Sequence, residues 1–232
     1  MARVTISNID KAQPSPFSAA GAAVAGEVTA RPLIAQASAS IHLSYLDMAA
    51  GAAIHWTRPE TEYCAYLLQG GVKVNGASLT VGGCFIVEHG ATALVEADGD
   101  ARIALFENRR AGAKEGGNVH VIAAEDVPDN RDATPPEDLA SSSLIADASC
   151  PTCDLWLHGN VFPEGNEVGL HSHSEDEIIL VTGGEIVLGN RRAGPDTAVA
   201  VAKDTLYGFK AGSGGMAMIN FRVGSPTAKQ AH

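Results

Sequence analysis

Basic residues are scarce in this chain: 16 Lys and Arg stand against 27 Asp and Glu, for a net charge of -11. That balance argues against nucleic acid as a partner, because phosphates need a basic patch. Anionic membrane surfaces are poor partners for the same reason. Cysteine is equally sparse. Four in 232 residues, Cys64, Cys84, Cys150 and Cys153, do not make a disulfide framework. Aromatic residues amount to 5%. No apolar run approaches the length of a membrane span. The opening MARVTISNIDKAQPSPF lacks the basic start and apolar stretch of a secretory signal, and Ala19 to Ala25 is too weakly apolar to replace it. The expectation is a cytoplasmic protein.

Apolar residues (45%) and glycine (25 residues) are what the chain does have. After a short strand-like start, residues 1–40 read as loops with an edge strand. From Ile41 short strand-like segments recur: IHLSYLDM, AAIHWT, YCAYLL, VKVNG, CFIVEHG, TALVEA and ARIALFE, most of them separated by glycine pairs or polar turns. Asn108 to Gly117, charged and glycine-rich, reads as a linker. VHVIAAEDV follows, then the proline-rich PDNRDATPPEDLASSS, a surface loop with one helical turn after Pro136. The strand rhythm resumes at Asp154 and runs to MAMINFRV, and the tail SPTAKQAH reads as disordered. Such spacing predicts an all-β sandwich or barrel. The two halves also repeat. LLQGGVKVNG from Leu67 matches LVTGGEIVLG from Leu180 at an offset of 113 (180 − 67), and VTISNID near the start resembles VHVIAAED after the linker. Two copies of one β domain are expected, over residues 1–110 and 118–226.

The second half carries the chemistry. His171 and His173 lie two apart on a strand and share one face. Ser174 to Asp176 suits a turn, and Glu177 opens the next strand, so an adjacent antiparallel strand brings Glu177 beside the histidines. Gly183-Gly184 suits the turn after it. Two imidazoles and a carboxylate fit a divalent transition metal: iron, manganese, nickel, cobalt or zinc. A solvated strand end with histidines and acids is the plainer alternative. The longer pattern, Gly165-x5-His171-x-His173-x3-Glu177-x6-Gly184, resembles the first sequence motif of the cupin superfamily at each defined position. The resemblance implies a double-stranded β-helix (jelly-roll) barrel, twice over in tandem, with His171, His173 and Glu177 as metal ligands facing the interior.

The second cupin motif corresponds to Gly194 to Phe209. There Ala202 stands where that motif has proline, Asp204 where it has glycine, and Tyr207 where it has a ligating histidine. Tyr207 can ligate as a phenolate, hydrogen-bond within the site, or pack. The favoured reading is a tyrosine facing the site and donating a proton or hydrogen bond. In the first half, the offset of 113 puts Arg58, Glu60 and Cys64 at the ligand positions and Ala93 near the place of Tyr207, so that barrel is expected to lack the ligand set. His55 and His89 lie close by, off the motif's spacing.

The expected function is a metal-dependent cupin acting on a small molecule, oxygenase-like or isomerase/lyase-like. A small-molecule binding or sensing protein is the alternative, and a metal-free enzyme of the sugar-epimerase type a third. Cys150-Pro-Thr-Cys153 is a C-x-x-C pair without a thioredoxin-like context or a second ligand pair at zinc spacing, and is set aside as coincidence. Cys64 and Cys84 read as small core residues. His158 and Trp156 share a strand face, so both point inward or neither does. Phe209, Met216, Met218 and Phe221 suit an apolar cavity wall or plain core, and Arg191 and Arg192 read as turn residues. Cupin barrels present sheet edges, and a homodimer is expected.

Overall fold

In the computed structural model, which describes residues 3–110, 112, 114–129, 139–224 and 228–230, the chain is all-β, and every strand pairing is antiparallel. Two 3-10 turns are the only helical elements among the described residues, and no helix there is long and apolar enough to cross a membrane. The helical turn expected after Pro136 lies outside the described residues.

The chain forms two compact units. The first comprises Ile9–Val127 with Ser149–Asp154, and the second Met1–Asn8, Pro128–Ala148 and Leu155–His232. A division at the 108–117 linker thus misses three segments. The strand Val4–Asn8 pairs with Thr197–Val201 of the second unit, while Val119–Ile122 pairs with Cys84–Val87 of the first. These are the two segments whose sequences resemble each other, and each barrel takes the one from the other half. The third is the C-x-x-C loop, which returns to the first unit.

Period-two patterning drives the strands. In Thr92–Ala97 the small and apolar Ala93, Val95 and Ala97 are buried and Thr92, Leu94 and Glu96 face water. The first barrel is filled. Trp56 lies against Tyr63 and Phe85 at ring-centroid separations of 5.6 and 6.4 Å, within a cluster that runs from Val28 to Leu105. In the second unit the order is Val4–Asn8, Thr197–Val201, Glu177–Leu188, Tyr207–Val223, Leu155–Phe162, Ser141–Asp147. Glu167–His173 pairs with the front of Tyr207–Val223 and with Ala228–Gln230, so part of the tail expected to be disordered is a strand.

Strand pairing also sharpens the internal repeat. Glu177 sits opposite Val201 as Tyr63 sits opposite Val87, an offset of 114 (177 − 63), one more than the sequence alignment suggests. The glycines agree: Gly184 and Gly70 both have positive φ, +64° and +76°, and both press against a neighbouring backbone. The first-barrel counterparts of His171, His173 and Glu177 are therefore Thr57, Pro59 and Tyr63, and the ligand set is absent there. Nor does Gly183-Gly184 make a turn. Glu177–Leu188 is continuous through it, with register shifts on both sides, which is a bulge that bends the strand.

Candidate functional site

The strand of the histidines and the strand of Glu177 are not neighbours. Each flanks Tyr207–Val223 instead, His171 opposite Tyr207 and Glu177 opposite Arg222. Closure of the barrel, rather than a hairpin, brings them together, with Ser174 to Asp176 carrying the chain across. His173 Nε2 lies 3.7 Å from Glu177 Oε2, both side chains almost fully buried. His171 stands further out and half-buried, its Nδ1 donating to the Gly169 carbonyl at 2.8 Å. Its ring lies 4.9 Å from that of His173 and 4.4 Å from that of Tyr207. The three predicted ligands are not drawn to a single point with all donor atoms within 4.8 Å of one another.

Glu177 is the hub of the cluster. Tyr207 donates its hydroxyl to Oε1, Asn220 Nδ2 donates to Oε2 at 2.8 Å, and Arg222 donates Nε to Oε2 at 2.5 Å and brings Nη2 to the same oxygen. Burial pushes the carboxyl pKa up, but the Arg222 charge, that of His173 once acid protonates it, and the Tyr207 and Asn220 hydrogen bonds outweigh it and hold it at about 2. Burial and the adjacent Glu177 carboxylate raise Tyr207 far above the usual phenol range. In the metal-free protein the phenol is therefore neutral and donates to Glu177.

His173 is held down at about 4 by burial, against the pull of Glu177 and with the help of Arg222 and His171. At neutral pH it is an uncharged imidazole, and neither ring nitrogen has a hydrogen-bond partner; Asn220 Oδ1 is likewise unpartnered. His158 receives a hydrogen bond from Trp156 Nε1 at 2.9 Å and is held at about 3 by burial and the Arg222 charge. Trp156 and His158 do share a face, and they satisfy each other rather than joining the ligands. Phe209, Met216 and Met218 pack with Tyr207 and Val181 in the apolar interior below the polar cluster, whereas Phe221 is buried outside that group. Arg191 and Arg192 are not turn residues: they lie on the short strand Arg191–Ala193, which pairs with Glu177–Leu188, and Arg192 pairs with Glu185 at 2.6 Å.

A pH dependence follows. The folded pKa values of His173 (about 4) and Glu177 (about 2) lie below their ordinary values of 6.5 and 4.5. A depressed folded pKa gives stability that is complete above the unfolded value and lost as pH falls toward the folded one. In metal-free buffer, stability to urea is expected to hold above pH 6.5, to fall from pH 6.5 down to about 4 and then about 3 as His173 and His158 take up protons in the unfolded chain but not in the folded one, and to fall further toward about pH 2 with Glu177. His173→Gln should flatten the upper part of that decline.

Sequence reasoning missed Arg222, which sits in an ordinary apolar strand, FRV, with no local signal of its partner. It also set aside a second cluster, in the first unit. Glu88, His120, Cys150 and Cys153 form the one group of three or more His, Cys, Asp or Glu residues, among those described, whose ligand atoms all lie within 4.8 Å of one another. The chain thus has a candidate metal-binding group outside the motif. Its C-x-x-C half was visible in the sequence; Glu88 and His120, tens of residues away, were not.

No protein-family model and no curated protein matches the sequence. Solved structures do. The Escherichia coli protein YlbA is similar over 99% of this chain and 93% of its own, with a TM-score of 0.74 and 12% identity. A Nostoc punctiforme protein provisionally named a dioxygenase is similar over 99% and 88%, with a TM-score of 0.73 and 10% identity. The oxalate decarboxylase of Lactobacillus farciminis is similar over 97% and 88%, with a TM-score of 0.72 and 10% identity. Together with the two jelly-roll units and their repeated strand register, these likenesses give the chain the bicupin fold: two tandem cupin barrels.

Proposed function

We propose that the second barrel is a small-molecule site served by a divalent metal held by His171, His173 and Glu177. One observation carries this reading. His173 is buried, neutral and without a partner on either nitrogen, beside an ionised carboxylate. A bare buried imidazole is costly unless something satisfies it, and a neutral imidazole with a carboxylate is the state a metal requires. His171 adds a ring fixed through Nδ1 with Nε2 left open; a side-chain rotation of this half-buried residue would complete the set. Tyr207 and Asn220 then act as outer partners that orient Glu177, the role such groups play around metal ligands. A metal with three protein ligands supplies Lewis acidity at its open positions. The apolar wall of Phe209, Met216 and Met218 would exclude bulk water. The names of two of the similar structures, a dioxygenase and an oxalate decarboxylase, support an oxygenase-like or lyase-like activity on a small molecule.

Arg222 favours a second reading. A guanidinium already neutralises Glu177, and a dication sharing that carboxylate is repelled by several kcal/mol even at an effective dielectric of about 20. On this reading the arginine replaces the metal, and the barrel binds its ligand through His173 and Asn220 without chemistry.

Reconstitution with iron(II) or manganese(II), followed by desalting and metal analysis, separates the two. The metal reading expects one equivalent per chain more in the wild type than in His173→Ala. Equal content in both would leave the metal-free binder. Difference spectra with catechols, flavonols and β-diketones would then tell turnover from binding.

A further inference from the structure

We propose that Glu88, His120, Cys150 and Cys153 form a structural zinc site in the first unit, independent of the histidine motif in the second barrel. The donor set is two thiolates, one imidazole and one carboxylate. That is a borderline-soft set, which suits zinc and not magnesium or calcium. All four ligands come from the protein, so the coordination is closed, as in structural rather than catalytic zinc centres.

The spacing fits. With bonds of about 2.0 to 2.3 Å, a tetrahedral centre places its ligand atoms roughly 3.3 to 3.8 Å apart. Cys150 Sγ lies 3.7 Å from Glu88 Oε1 and 3.8 Å from His120 Nε2. The His120–Glu88 edge, 2.7 Å, is drawn in by a hydrogen bond. It would open by roughly 0.6 Å when a metal takes the place of the shared proton. Glu88 is fully buried, and its carboxylate is fixed from outside the ligand set. Asn118 N–H donates to Oε2 at 2.9 Å, and the Thr152 hydroxyl donates to Oε1 at 2.7 Å. Lys114 caps the loop by donating to the carbonyls of Cys150 (2.6 Å) and Cys153 (2.9 Å), and it pairs with Asp154 at 2.8 Å. A positive charge there suits a centre whose formal charge with zinc is minus one. On binding, the two thiol protons leave to solvent and the His120 ring proton moves to Nδ1.

The fold shows what such a site is for. Glu88 follows the strand Cys84–Val87, His120 lies on the paired strand Val119–Ile122, and the cysteines lie on the returning loop Ser149–Asp154. Zinc would tie the exchanged strand and the returning loop to the barrel that receives them, closing two long stretches of chain at once.

Cobalt(II) substitution of the full chain tests this. The wild type, and equally a His171→Ala/His173→Ala variant, should show thiolate-to-cobalt charge transfer and the visible bands of a tetrahedral centre. Cys150→Ser/Cys153→Ser should show neither, and His120→Ala should weaken cobalt binding at least tenfold. In the wild type, thiol labelling of the part-exposed Cys150 should be slow with zinc bound and fast after chelation, a readout that needs no variant to fold. Absence of thiolate charge transfer with unchanged labelling would overturn the proposal. So would recovery of Cys150 and Cys153 as a disulfide, two hydrogens lighter, which would mark the pair as a redox couple.

Discussion

Replacing Arg222 with methionine should destabilise the second barrel by about 3–5 kcal/mol in metal-free buffer, the usual cost of removing one partner from a buried ion pair. Glu177 is 1% exposed and Arg222 supplies its main counter-charge. Without the guanidinium, two neutral donors, Tyr207 and Asn220, remain on a carboxylate that burial drives toward protonation. The same variant should bind divalent metal at least tenfold more tightly, because the like charge beside the carboxylate is gone. Metal should then recover much of the lost stability. Adding Glu177→Gln should restore stability without metal, since a buried pair removed as a unit costs far less than one broken in half. Urea denaturation with and without metal reads all three outcomes. A loss below 1 kcal/mol in Arg222→Met would mean that the pair does not form.

Gly184→Ala should cost about 3 kcal/mol or more. Gly184 has a φ of +64°, and an added Cβ would collide with the Gly215 carbonyl oxygen and come within 3.0 Å of Met216 Cα. Left-handed backbone costs a residue with a Cβ about 1–2 kcal/mol. Overpacking against backbone, which cannot rotate away, adds about 1–3 kcal/mol. Gly189 is the control. Its φ is +58°, but nothing lies within 4 Å of its Cβ direction, so Gly189→Ala should lose only the conformational part. Gly70→Ala, whose Cβ would strike the Asp100 carbonyl, should resemble Gly184→Ala. Equal losses at Gly184 and Gly189 in urea denaturation would remove the close approach from the account.

These two residues show where sequence legibility stops. The strands and their duplication follow from alternation and glycine spacing, the jelly-roll barrel is what the resemblance of the motif around His171 implies, and the loss of ligands from the first barrel follows from laying the two halves on each other. The repeat was read one residue out of register because a Gly-Gly pair permits two alignments, and only the backbone conformation says which glycine is strained. Arg222 is separated from Glu177 by 45 residues, and nothing local in FRV marks it as a counter-ion. Exchange of Val4–Asn8 and Val119–Ile122 was hinted at by their likeness, but likeness does not say which barrel each joins. Cys150 and Cys153 were visible as a pair and set aside for want of further ligands; His120 and Glu88 reach them through strand pairing and loop return, which spacing does not encode.

The central claim, that the motif in the second barrel holds a metal, is tested most directly with the Cys150→Ser/Cys153→Ser protein, where the other cluster cannot contribute. Calorimetric titration of this variant with manganese(II) should show one site per chain, and adding His173→Ala should abolish it. No binding in either protein would contradict the claim and leave Glu177 with Arg222 as its only cation.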